Sequence, residues 1–165
     1  MPNWCSNTVK VWGKVKDVEE AEKRVRKGKT PFSFNGIIPM PKELKNTKSP
    51  PDDRNPDLIS RFGSDNWFDW CSINWGTKWD LDPGDTTITR GPRSIHYKFD
   101  TAWCPPAGIY LQLLSELSAN ISWGYFEGDM EAEEWLTKDY ATEIIDSHKR
   151  ITEYTRALNA DWKKD

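Results

Sequence analysis

The stretch "SIHYKFDTAW", residues 94–103, constrains the fold of this chain more than any other. Ile95, Tyr97, Phe99 and Thr101 fall on one side of an extended backbone, and His96, Lys98 and Asp100 on the other. An apolar row opposite a charged row marks a strand with one buried and one solvated face. A sheet of such strands must cover its apolar face with other elements, so the rest of the chain has to supply helices.

It does so in alternation with further strands. In "CSNTVKVWG", Cys5, Asn7, Val9 and Val11 point one way and Ser6, Thr8, Lys10 and Trp12 the other, again a strand. "KDVEEAEKRVRKG" follows, with Asp17 and Glu20 as a helix-start pair, Val18, Ala21 and Val25 on one face and Gly28 as a stop. "FSFNGIIPMP" is expected to be a second strand, broken near Asn35-Gly36. Residues 42–57 read as an inserted polar loop with little to bury.

Trp67, Trp70, Cys71 and Trp75 then recur at helical spacing, predicting an inserted helix over 65–76, with Ser64 or Asp65 as N-cap and Gly76 as stop. A short strand through Trp79 and Leu81, a turn at "DPGD" and a strand at "TTITRG" lead into the 94–103 strand. Pro105 and Pro106 suit the first turn of a helix whose apolar stripe is expected to be Ala107, Tyr110, Leu111, Leu114 and Leu117. "ISWGYFEG" is a last strand, with Ile121, Trp123 and Tyr125 on one face. From Glu131 a long C-terminal helix is expected, because Leu136, Tyr140, Ile144, His148, Ile151, Thr155, Leu158 and Trp162 step by three or four. Its stripe would bury against the sheet or against a second copy, giving a homodimer.

The expected fold class is therefore α+β, with a ferredoxin-like split βαβ sheet rich in antiparallel pairing. Residues 1–127 would form the domain. Residues 128–165 would be an acidic, helical extension that packs on the domain or on a partner.

Composition enters through charge and cysteine. The 165 residues are 30% charged and only 36% hydrophobic, and ten tryptophans make up the apolar area a core needs. Residues 1–50 carry a net of +6 and residues 127–146 a net of −7. No run is long enough for a membrane span, and no apolar leader opens the chain. Three cysteines at separations of 66 and 33 residues fit no disulfide framework, so a reduced, cytoplasmic compartment is expected.

Several chemistries were weighed on the residues. Zinc would have to come from Cys5, Cys71, Cys104, His96 and His148, which include no short-range ligand pair of the kind structural sites use, so no metal is expected. Cys104, before the two prolines, is the most exposed-looking thiol, but a nucleophilic cysteine needs a histidine within reach, and His96, two elements from Cys71 on a strand, is not brought to a cysteine by any sequence signature. The carboxylates Asp69, Asp80, Asp82, Asp100, Glu127 and Asp129 are scattered outside any catalytic signature. No glycine-rich phosphate loop is present, so no cofactor is expected. Trp67, Trp70, Trp75 and Trp79, near Asp69 and Asp80, could cage a cation, sugar or base, giving a small-ligand binder or enzyme as one alternative. A nucleic-acid-binding module using Lys23, Arg24, Arg26 and Lys27 and the sheet is another, against which the overall acidity counts.

Four blocks, "MPNWCSN", "FSFNGIIPMP", "WFDWCSINWGTKWD" and "FDTAWCPP", occur in order between Met1 and about Glu127. Together they resemble a group of phage- and plasmid-encoded proteins of the YubB/Api-like type, with a ferredoxin-like domain, catalogued as a domain of unknown function. The resemblance implies that fold and a mobile-element origin, and carries no catalytic residues with it. Relatives continue after the last strand into a hairpin, from which the acidic tail here is expected to depart.

The functional expectation is a non-enzymatic accessory protein that binds a host protein complex with a basic surface. An anti-defence inhibitor, anti-CRISPR or anti-restriction, is the form in view. Its contact residues would be Glu127, Asp129, Glu131, Glu133, Glu134, Asp139, Glu143 and Asp146, together with the C-terminal helix.

Overall fold

The computed structural model describes residues 3–127 and 134–137. Its sheet is antiparallel throughout, in the order β2-β3-β1-β4-β5. The strands are β1 (Trp4–Trp12), β2 (Thr87–Gly91), β3 (Ser94–Ala102), β4 (Asn120–Glu127) and β5 (Glu134–Thr137). Helices α1 (Val15–Val25), α2 (Phe34–Ile37), α3 (Pro56–Phe62), α4 (Trp67–Asn74) and α5 (Ala107–Glu116) complete a mixed α/β architecture.

The alternation read from the sequence holds in the central strands. Cys5, Asn7, Val9 and Val11 of β1 are buried, as are Ile95, Tyr97, Phe99 and Thr101 of β3 and Ile121 and Trp123 of β4. The helices close over this one face. Val18, Ala21 and Val25 of α1, Phe34 and Ile37 of α2, Trp70 and Cys71 of α4 and Ile109, Tyr110 and Leu113 of α5 join the strands in a single core. Phe32 sits at its centre, with ring centroids 5.1 Å from Tyr97, 5.0 Å from Phe99 and 6.0 Å from Trp123.

Several elements differ from the sequence reading. "FSFNGIIPMP" is not a strand: Phe34–Ile37 is a helical turn, and the Ser33 hydroxyl caps it by accepting from the Gly36 N–H at 3.1 Å. The 42–57 stretch does bury something. A 3-10 turn over Lys42–Leu44 inserts Leu44 fully into the core, and Pro56 already begins α3, capped by the Asn55 side chain. The Trp-rich helix is capped by Asn66, whose side chain accepts from the Asp69 N–H, rather than by Ser64 or Asp65. Trp79 and Leu81 lie outside any strand.

Helix α1 starts at Val15, ahead of the Asp17–Glu20 pair. In α5 the stripe is rotated: Ile109 and Leu113, four apart, are fully buried beside Tyr110, while Leu111 and Leu114 are half-buried. Glu134–Thr137, expected within the long helix, is a strand hydrogen-bonded antiparallel to β4. The rest of the expected C-terminal helix, its dimer contact included, lies outside the described residues. No helix among the described residues is long and apolar enough to cross a membrane.

Candidate functional site

The sequence blocks converge on a network of long-range ties. Asn7, fully buried in β1, donates from its side-chain amide to the Cys5 carbonyl (3.1 Å) and the Thr101 hydroxyl (2.9 Å), and its Oδ1 accepts from the Trp123 indole at 3.0 Å. Both ends of the amide are satisfied, which a buried polar side chain requires. Asp80 serves α2 in the same way. Its Oδ1 accepts from the Phe34 and Leu81 N–H groups, both at 2.7 Å, and its Oδ2 from the Asn35 N–H (3.0 Å) and the Ser33 hydroxyl (3.1 Å).

Trp75 donates its indole N–H to the Ile38 carbonyl at 2.9 Å, and its own carbonyl accepts from the Gly108 N–H at 3.0 Å. Gly76 follows with φ of +91°, and a Cβ there would meet the Ala107 nitrogen at 2.7 Å. Glycine is therefore required both by backbone conformation and by the close approach of α5. The Cys104 thiol donates to the Gly76 carbonyl at 2.8 Å, and the Thr77 hydroxyl to the Ala102 carbonyl at 3.0 Å.

These ties account for much of what the sequence offered as chemistry. Cys5 and Cys71 are buried, and burial, reinforced by the nearby Asp80 carboxylate, pushes the Cys71 thiol up to about 12. A thiol held there is not a nucleophile at neutral pH. No group of three His, Cys, Asp or Glu among the described residues is disposed to hold a metal ion.

Of the basic quartet, Arg24 is engaged within the fold. Arg24 donates to the Gly36 and Ile37 carbonyls and makes a forked pair with Glu116 (2.6 and 3.1 Å), fastening α1 to α2 and α5. Lys23, Arg26 and Lys27 are exposed. Of the acidic candidates, Glu127 ends β4 and Glu134 begins β5; Asp129, Glu131, Glu133, Asp139, Glu143 and Asp146 lie outside the described residues.

The four-tryptophan cage is not assembled. Trp70 and Trp75 are core residues, packed edge to face at 5.6 Å, and Trp67 is half-buried against Phe68. Trp79 alone turns outward, and its neighbour is Trp4, the first residue of β1, at 6.2 Å between centroids with the rings tilted by 41°. The two rings form one wall of a cleft of about 610 Å³, bounded otherwise by the 79–85 segment and by Asp100, Thr101 and Ala102 at the end of β3. Asp82, Asp85 and Asp100 are exposed on its walls. Asp85 accepts from the Asp82 N–H at 2.7 Å, and among the described residues no hydrogen bond or ion pair engages the Asp82 or Asp100 carboxylate.

The Lys78 ammonium lies over the Trp79 ring, 4.1 Å from its centroid. Sequence reasoning found Trp79, Asp82 and Asp100 but missed Asp85 and Trp4. The signal was present in the β1 alternation, whose parity turns Trp4 away from the core along with Ser6 and Thr8.

Comparison with family models, with curated proteins and with solved structures yields no match to this chain.

Proposed function

We propose that this chain is a non-enzymatic accessory protein of the YubB/Api-like group that binds a protein complex of its host through a basic surface of that complex. Anti-defence inhibition, of CRISPR or restriction machinery, is the form this reading takes. Support for the group comes from the four sequence blocks, whose residues Asn7, Trp75, Asp80 and Thr101 form the internal ties described above. Support for a ferredoxin-like domain comes from the order β2-β3-β1-β4 with α1 following β1 and α5 joining β3 to β4.

The observation that carries the binding reading is the cleft: two exposed tryptophans beside three carboxylates. Exposed indoles are the side chains most often found as anchors in protein interfaces, and the carboxylates select a basic partner. The contact surface thereby includes Trp4, Trp79, Asp82, Asp85 and Asp100, in addition to the acidic segment around Glu127–Asp146.

The test is affinity capture from host lysate with three baits: the native chain, a Trp79→Ala/Asp100→Asn variant and a chain ending at Thr137. A complex retained by the native chain and released as salt rises is the expected result. Equal recovery of every prey by the cleft variant removes the cleft from the function. Equal recovery by the shortened chain removes from it the residues after Thr137, Asp139, Glu143 and Asp146 among them.

A further inference from the structure

We infer that the cleft walled by Trp4 and Trp79 receives an arginine side chain carried on a basic peptide segment of the partner. The inference rests on the binding reading above and names the chemistry of what enters the site.

Several observations lead to it. The indole faces attract cations through the ring quadrupole, and the chain itself demonstrates this, since the Lys78 ammonium already occupies a position over Trp79. The wall carboxylates are of one sign, so an anion such as a phosphate is repelled and a cation is drawn in. Among the described residues nothing donates to the Asp82 or Asp100 carboxylate, in contrast to Asp80, whose two oxygens take four donors. Among the described residues these acids form no group of three fit to hold a metal ion, which turns the site toward an organic cation.

Shape separates arginine from lysine. A guanidinium is flat, stacks on an indole and presents a fork of N–H donors to a carboxylate, whereas an ammonium is a compact and strongly hydrated point charge. Two indoles tilted by 41° at 6.2 Å offer ring faces and edges to a planar group, with carboxylates at its rim. A volume of about 610 Å³ exceeds what one side chain fills, so flanking peptide residues enter with it.

The experiment titrates the full chain, labelled with 15N, with the peptide Gly-Arg-Arg-Gly and with versions carrying lysine or citrulline in place of arginine. The indole N–H signals of Trp4 and Trp79 are followed beside those of Trp70, Trp75 and Trp123. The arginine peptide is expected to shift Trp4 and Trp79 and to leave the buried indoles in place. Citrulline, which keeps the shape and loses the charge, is expected to bind about tenfold or more weakly, and lysine several-fold more weakly. Asp82→Asn/Asp100→Asn is expected to weaken the arginine peptide about tenfold and to flatten its salt dependence.

Citrulline binding as tightly as arginine overturns the inference, as does lysine binding more tightly than arginine, or an oligonucleotide shifting the same two indoles. A Trp79→Ala variant that folds, by its unchanged buried indole signals, and still binds the arginine peptide at native strength also overturns it. The two claims separate cleanly. Peptide binding without capture of a host complex sinks the function and leaves the cleft chemistry standing. Capture that survives the cleft variant, with no peptide binding, does the reverse.

Discussion

Six tryptophans divide into two groups of three that differ in everything except residue type. Trp70, Trp75 and Trp123 are 5%, 3% and 1% exposed, while Trp4, Trp79 and Trp103 are 50%, 43% and 54% exposed. In the buried group, Trp75 and Trp123 both place the indole N–H on an internal acceptor, the Ile38 carbonyl and the Asn7 side chain. Burying an indole without such a partner would cost part of what its apolar area contributes. The exposed group sits at the other extreme: Trp4 and Trp79 face solvent over a row of carboxylates, and Trp103 is presented from a left-handed backbone with φ of +73°. One set holds the fold together, and the other stays at the surface.

The largest expected effect tests that division directly. Trp75→Ala removes a core side chain and is expected to cost about 3–5 kcal/mol, whereas Trp79→Ala is expected to cost less than about 1 kcal/mol. Urea denaturation of the two variants measures both. Comparable losses would erase the distinction.

The aspartates supply the same contrast at smaller scale. Asp80→Asn leaves one side-chain oxygen to serve donors that now engage two, and is expected to cost about 1–3 kcal/mol. Asp100→Asn, on an exposed carboxylate, is expected to stay within about 0.5 kcal/mol. If Asp100→Asn proves the more damaging, the division of labour between tie and cleft is wrong.

Trp103→Gly sharpens the comparison from the other side. Its left-handed φ suits glycine, and its exposed ring gives up little packing, so stability is expected to rise or hold within about 1 kcal/mol. A clear fall in melting temperature would mean that the indole packs on something that stabilises it.

The smallest effect concerns pH. The Arg24 guanidinium holds the Glu116 carboxyl below its ordinary value of 4.5, with burial opposing and Gln112 assisting. A carboxyl lowered in the folded state contributes stability that is fully present above the unfolded value and lost as pH falls through the folded one. Glu116→Gln is thus expected to be less stable than the native chain at pH 7, by under about 1 kcal/mol. The gap is expected to close as pH falls below 4.5. A gap independent of pH would show that the ion pair is not its source.

Much of the sheet was legible because side-chain parity is a local property. The buried rows of β1, β3 and β4 follow from alternation in segments of 8 or 9 residues. The Trp-rich helix was legible for the same reason at a different period, although its cap was placed one or two residues early. The rotated stripe of α5 was less legible: "AGIYLQLL" is apolar on most sides, so spacing alone does not say which side faces the sheet. The candidate site was half legible, through Trp79 and its acids.

By itself, the sequence determined that strands with one apolar face would need helices over them, and that tryptophan would carry much of the core. Tertiary structure decided the rest, wherever two distant segments had to meet. Residues 34–37 turn helical where Asp80, more than 40 positions later, supplies acceptors for the N–H groups of Phe34 and Asn35. The cleft exists only where the start of β1, the end of β3 and the 79–85 segment come together. The physical reason is common to both: backbone donors and ring faces take whichever partner the fold brings near, and no local periodicity encodes that partner.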